Sequence, residues 1–410
     1  MNAKRILALL LALAMVLSLA ACGAKAEPAA TEAAKPDSKE TALTADHNGQ
    51  ISIGVAEDVE VNRSDVHMDA VEASSSGNWE AMFTPFEVEG RASDYLNFDL
   101  TPTAEELEAM KAEPGYGKPI IYMMYDGCSS STSIAELLGY YEEAGIIVEG
   151  VKGSGSYVEA LGTAQAHVAI CHIATNLVPI TNNVDITFVG GAHLACKSLY
   201  VLADSPYHTT EDLKGTNISV PNGIGASDYN ITSLMLDDDG IDPKTDVNLV
   251  QVSADACVIA MEKGEISGAL LSDVYAYGMV KEGKLRCVSS MLDSDYSEVS
   301  ICCAISMNAT YVRENPVHTK KLVQAIQKAS CYMRESVEEA TDLMLAEGLN
   351  KGDREMNIMI NDSQQFGLSN EFTESNLRDI VSRYLRLGLI TNMDDIDEVM
   401  ALAWMPALSE

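Results

Sequence analysis

The chain has 410 residues, 61 of them acidic and 27 basic, for a formal net charge of −34. That balance disfavours nucleic acid and anionic lipid surfaces, which are held through Lys/Arg clusters. A hydrophobic share of 47% excludes global disorder and allows a sizeable core.

Residues 1–21 read as a secretory signal. Lys4 and Arg5 form a charged start, residues 6–19 an apolar run, and Leu19-Ala20-Ala21 lead into Cys22. The run is short of the ~20 residues a membrane span needs. The stretch resembles the bacterial lipobox, which implies that Cys22 becomes the lipidated first residue of the mature chain. Residues 22–50 have no apolar period, so they read as the lipidated cysteine and a flexible tether. Residues 51–117 form an acidic extension through which Trp79, Phe83, Phe86, Tyr95 and Phe98 are spaced. It reads as a non-catalytic wrap packed on a larger body, with a partner or ligand-lid segment as the alternative. Thr103, with Glu105 and Glu106 in the following turn, predicts a capped helix over 103–111.

From residue 119 strands alternate with helices. Strands are expected at 120–125, 146–151, 168–171, 186–189, 218–221, 247–252, 268–271, 285–288 and 301–307, with 199–203 extended. Helices are expected at 131–144, 158–165, 228–239 and 254–263, and residues 316–410 are mainly helical. This alternation predicts an α/β protein with mostly parallel sheets. The eight cysteines beyond Cys22 lie mostly in apolar, strand-like runs without a C-x-x-C pair, and read as small buried hydrophobes. On a strand, Cys302 and Cys303 would point to opposite faces, with a vicinal disulfide as the minor alternative.

Open α/β sheets bind ligands outside the carboxyl ends of their strands, and that rule selects a pocket. After the first strand come Asp126, Cys128, Ser129 and Ser130, leading into a helix. Free N–H groups and hydroxyls there suit an anionic oxygen, unless Ser130 or Ser131 simply caps the helix. After the second strand come Ser154, Gly155 and Ser156; after the third, Cys171 and His172; after the fourth, Gly191 and His193. Further on, Asn222, Gly223, Gly225, Ala226 and Ser227 open the helix at Asp228 as an analogous anion-friendly loop. Asp273 ends a later strand, placed to meet a cationic or N–H group. No arginine lies in these loops, which disfavours a doubly charged anion. Tyr125, Tyr157, Tyr229 and Tyr275 either stack on a ring or simply pack. His172 and His193 lack a partner at helical i, i+4 spacing, so they are expected to line the pocket rather than ligate a metal. Residues 222–225 only partly match a dinucleotide fingerprint, since Asp228 stands where the third glycine belongs and would repel a pyrophosphate. There is no G-x-S-x-G and no Walker loop, so catalysis is not signalled.

Several short motifs occur in a telling order. They are Gly139-Tyr140-Tyr141-Glu142-Glu143-Ala144-Gly145, residues 153–156 with Ala160-Leu161-Gly162, and residues 166–170, in which His167 replaces a usual Asp. Then come Asp204-Ser205-Pro206 with Glu211-Asp212-Leu213-Lys214-Gly215, Asp246-Val247, and residues 260–269. Together these resemble the type II solute-binding proteins of ABC importers, more narrowly the nitrate/sulfonate/taurine and thiamine-pyrimidine-precursor group. The resemblance spans about residues 118–345 and not 51–117. It implies a two-lobed type II periplasmic-binding-protein fold with a hinge of two crossings and a helical C-terminal part. Lobe one would be 118–205 plus 305–410, and lobe two 206–304. It also implies an extracytoplasmic, lipid-anchored monomer without cofactor. Such a protein passes a small polar molecule (sulfonate, nitrate, carboxylate or pyrimidine-like) to an ABC permease and its ATPase. Alternatives on the same fold are an enzyme of the pyrimidine-synthase or menaquinone-route type, or a ligand-presenting sensor lipoprotein.

Overall fold

Two five-stranded sheets organise the chain. The computed structural model describes residues 61–62, 70–77, 79–83, 87–88, 90–152, 156–292 and 301–409. The expected signal segment, Cys22, the tether, and the loop residues Ser154 and Gly155 lie outside the described residues.

Ahead of the sheets, β1 (Val61–Asn62) pairs antiparallel with β2 (Glu87–Val88). Then come β3 (Ile120–Met124), β4 (Val148–Lys152), β5 (Val168–His172), β6 (Ile186–Leu194), β7 (Lys197–Leu202) and β8 (Asn217–Ser219). After these come β9 (Asn248–Val250), β10 (Gly268–Ser272), β11 (Leu285–Ser290) and β12 (Ile301–Asn308). The first sheet has the order β4-β3-β5-β12-β6 and the second β11-β7-β10-β8-β9. In each sheet four strands run one way and one opposes them: β12 against β5 and β6, β7 against β10 and β11. The opposed strand is in both cases the one that arrives from the other sheet. A chain that leaves one sheet at the carboxyl ends of its strands enters the next from that same side, and so runs backwards through it. The crossings therefore lie where the carboxyl ends of both sheets face each other.

The first crossing is Ala195-Cys196, with Ala195 in a positive-φ conformation (φ 27) that a residue with a Cβ rarely adopts. The second joins the end of β11, at Ser290, to the start of β12, at Ile301. Both fall upstream of the expected boundaries: residues 197–202 belong to the second sheet, and residues 301–304 to the first. A strand's own pattern states which faces are covered but not which sheet it joins.

The strands β6 and β12 are buried along their whole length, and β5 except for His172. Such continuous apolar runs are what a sheet covered on both faces requires. Helices Pro316–Glu335 and Asn370–Arg386 supply cover on the first sheet. Gly191 in β6 marks the tightest approach: a Cβ there would lie 2.1 Å from Thr373 Oγ1. The expected helix over 131–144 is two helices, Ser131–Leu137 and Tyr140–Glu143, parted by Gly139 at φ 73. Helices Ile173–Thr181 and Asp273–Lys281, which the pattern did not announce, start directly after β5 and β10.

The acidic extension touches both lobes. Its helix Ala104–Ala112 has a full capping box, with Thr103 and Glu106 bonding reciprocally. Beyond it, Glu113 accepts from the Val317 and His318 amides and from His318 Nδ1 at 2.6, 3.0 and 2.5 Å, capping the start of helix Pro316–Glu335 on lobe one. Earlier in the chain, Ser74 Oγ accepts from the Cys287 amide of β11 at 3.0 Å. Trp79 packs edge-on against Tyr277 at 5.3 Å with Lys281 over its ring at 4.9 Å, all on lobe two.

Candidate functional site

At the carboxyl ends of the first sheet, sulfur and imidazole gather from five chain segments. Cys303 is flanked in register by His172 of β5 and His193 of β6, and in-register neighbours share a face. Regular alternation would send Cys302 to the other side. The ladder to β6 instead shifts register between Ile301 and Cys303, an irregularity that lets adjacent residues turn the same way. The Cys302 and Cys303 sulfurs lie 3.9 Å apart, and His172 Nδ1 is 3.2 Å from Cys302 and 3.7 Å from Cys303. Cys196, in the first crossing, brings its sulfur to 2.8 Å from Cys302. Cys128, from the loop after β3, is near enough to Cys196, Cys303 and His193 to influence them electrostatically. All eight described cysteines are free thiols, so the vicinal disulfide is not formed here.

The electrostatics of this cluster alternate. Hydrogen bonds from Cys196 and Cys303 hold the Cys128 thiol well below its ordinary value. Burial opposes ionisation of Cys302, yet the bonds from Cys196 and Cys303 and the nearby His172 outweigh it and lower that thiol too. Cys196, donating to Cys128 and Cys302, is pushed well up, and so is Cys303, chiefly by burial. Burial alone would lower His193, but the Cys128 and Cys302 sulfurs raise it to about 9. The His193 ring is fully buried, with Nδ1 2.7 Å from the Leu194 carbonyl. His172 and Cys128 are half-buried, the others buried. His172, Cys302 and Cys303 present ligand atoms within 4.8 Å of one another and could hold a metal.

The facing rim of lobe two is built differently. Lys197, the first residue of β7, is buried in an ion pair with Asp228 at the start of helix Ser227–Asp238. The second oxygen of Asp228 accepts from the Asn222 amide at 2.9 Å, and Ser227 Oγ donates to the first at 3.3 Å. The loop of Asn222, Gly223, Gly225, Ala226 and Ser227 thus spends amide and hydroxyl donors on a carboxylate of its own. This helix start therefore carries a carboxylate of its own chain. Asp273 likewise meets no external cation: it is buried, accepts from Tyr200 at 2.7 Å, and its amide donates to the Cys196 carbonyl at 3.0 Å. Burial raises the Asp273 carboxyl to about 6 against the bonds from Tyr200 and Ser198. Ser198 and Ser290 complete this rim with a 2.7 Å hydrogen bond.

Other expected site residues fall elsewhere. Ser130 stands at the helix start without capping it, and its hydroxyl donates to the Gly127 carbonyl at 2.7 Å. Asp126 and Ser156 are exposed, and Ser129 is half-buried. Cys171 points away from the cluster to Asn176, 3.1 Å away, and burial raises its thiol to about 11. Gly191 is a packing glycine against Thr373 and Leu368 rather than a lining residue. Tyr125 and Tyr157 pack on each other, edge to face at 6.2 Å. Cys128 and His172, both expected, join the cluster, but Cys196, Cys302 and Cys303 were not among the expected site residues. The one available signal for these was their position: one in a crossing and two at the start of the strand that follows the other crossing.

The lobes also meet directly. Asn230 of lobe two donates to the Ala174 carbonyl at 2.6 Å, and Tyr384 donates to the same carbonyl at 3.2 Å. Arg386 pairs with Asp237 at 2.6 Å.

Two mixed sheets joined by paired crossings, each with one reversed strand, define the periplasmic-binding-protein fold. Solved structures share it at low identity. The alkanesulfonate-binding protein SsuA from Xanthomonas axonopodis pv. citri, bound to MOPS, is 13% identical with a TM-score of 0.56, over 70% of this chain and 98% of that one. The periplasmic aliphatic sulphonate binding protein SsuA from Escherichia coli is 16% identical with a TM-score of 0.55, over 72% and 94%. The periplasmic nitrate-binding protein NrtA from Synechocystis PCC 6803 is 14% identical with a TM-score of 0.53, over 70% and 86%. No curated protein sequence matches. The family model described as NMT1/THI5 like matches residues 130–340, and the chain belongs to that family. Among the described residues no helix is long and apolar enough to cross a membrane.

Proposed function

We propose that this protein is an extracytoplasmic solute-binding lipoprotein that captures a small polar ligand between its lobes and hands it to an ABC permease and its ATPase. The observation that carries this reading is the pair of crossings, which set the carboxyl-end loops of both sheets face to face around a hinge. The similarity to sulfonate- and nitrate-binding proteins supports it, as does the Leu19-Ala20-Ala21-Cys22 stretch at the expected lipid anchor. The work is binding and closure: ligand shifts an open-to-closed equilibrium by its preference for the closed form. No bond in the ligand is made or broken, and the protein acts as a monomer.

A thermal-shift titration with sulfonates, nitrate, carboxylates, pyrimidines and metal ions tests the reading. Stabilisation that grows with the concentration of one of them is the expected result. Turnover of the stabilising compound, or no stabilisation by any class, would overturn it. Labelling by a lipid probe, lost in Cys22→Ser, tests the anchor.

A further inference from the structure

Resting on the cleft as the ligand site, we propose that its lobe-one rim binds a thiophilic d10 cation, Zn2+ or Cu+, through Cys302, Cys303 and His172. Bond lengths of about 2.3 Å to sulfur and about 2.0–2.1 Å to imidazole nitrogen give tetrahedral edges of about 3.8 Å for S···S and about 3.6 Å for S···N. The three edges among Cys302, Cys303 and His172 are 3.9, 3.7 and 3.2 Å, one face of such a tetrahedron already close to size. Cys196, at 2.8 Å from Cys302, is too close to share the ion with it and serves as hydrogen-bond partner to that sulfur. Three protein ligands leave the fourth position to water or a bound solute. Thiolates with one imidazole select zinc or cuprous copper over hard cations, which prefer oxygen.

The reading of these thiols as inert core accounts for Cys171, Cys257 and Cys287, each of which finds a partner outside the cluster. It leaves unexplained why four sulfurs from three segments, and two imidazoles, gather at the carboxyl ends of the first sheet. Lobe two points the same way. Its helix start already carries the Asp228 carboxylate, paired with Lys197, which disfavours an anion there. Half-buried His172 gives the ion a route in from solvent.

The test uses the full chain, purified with its thiols reduced. Zn2+ and Cu+ are titrated in competition with a chromogenic chelator, and Co2+ is added as a spectroscopic probe. One ion per chain is expected, with thiolate-to-cobalt charge-transfer bands. Affinity should fall on the order of 100-fold in a Cys302→Ser/Cys303→Ser double variant and roughly 10-fold or more in His172→Ala. Cys171→Ser, outside the cluster, should bind as the parent does. If the double variant does not fold, Cys303→Ser alone carries the test through a weakened charge-transfer band. Unchanged affinity in the cluster variants, or a reduced parent that takes up no ion, overturns the metal site. Stabilisation by an organic solute that persists in those variants overturns it as well, while leaving solute carriage standing. An absence of response to every solute and every ion removes both.

Discussion

The two rims of the cleft stand on matching topology and carry opposite chemistry. On the lobe-two rim three polar pairs are mated within the lobe: Lys197 with Asp228, Asp273 with Tyr200, Ser198 with Ser290. On lobe one the corresponding loops hold polarizable thiols and imidazoles that contact one another. A rim that satisfies itself has little left to offer a ligand, whereas a cluster of mutually bonded thiols can exchange those weak bonds for stronger ones. If the proposed site is right, lobe two serves as the closed wall and lobe one as the receptive one.

The sharpest way to break this comparison is to unmate lobe two. Lys197→Met leaves the buried Asp228 carboxylate without its cation, which costs about 3–5 kcal/mol in a site of this kind. Lys197→Met/Asp228→Asn should recover much of that loss, because both charges are then gone. Urea unfolding of the two variants measures it. A loss below about 1 kcal/mol in the single variant would mean that the pair is solvated and the wall is not closed.

The next effect is a pH dependence. The folded pKa of Asp273, about 6, lies above the ~3.9 of an unfolded aspartate, so folding favours the protonated form. Its contribution is fully present below about pH 4 and is lost as pH rises through about 6, a change of about 2–3 kcal/mol. Asp273→Asn keeps an acceptor for Tyr200 and removes the titration. The stability difference between variant and parent should therefore grow in the variant's favour from about pH 4 to about pH 7. A difference that stays flat across that range would show that the lobe-two rim is open to water.

Much of the fold was legible because its signals are local. Apolar runs placed the strands, Thr103 with Glu106 marked a helix start, and the carboxyl-end rule singled out the loops holding Cys128 and His172. What was not legible depends on pairing between distant segments. Nothing in residues 197–202 says which sheet they join, and alternation on β12 predicted that Cys302 and Cys303 diverge, which the register shift beside Cys303 reverses. The Asp228 signal was present but only half used. An acidic residue at that helix start argued against a pyrophosphate, and the same physics argues against any anion in the loop.

The smallest expected effect concerns how the extension holds each wall. On lobe one it is anchored by the buried Glu113 carboxylate at three donors, on lobe two by the Trp79 ring and one serine. Charge-assisted bonds to a helix start are strong, while an edge-on aromatic pair with a cation over it contributes about 1 kcal/mol beyond its buried area. Trp79→Ala should thus cost about 1 kcal/mol globally, with its consequences confined to lobe two. Hydrogen–deuterium exchange separates the two attachments. The Cys287 amide, which donates to Ser74, should exchange faster in the variant, while the Val317 and His318 amides held by Glu113 keep the parent's protection. Equal acceleration at both places would show that the extension is one rigid body spanning the lobes, and that the walls are coupled through it rather than held separately.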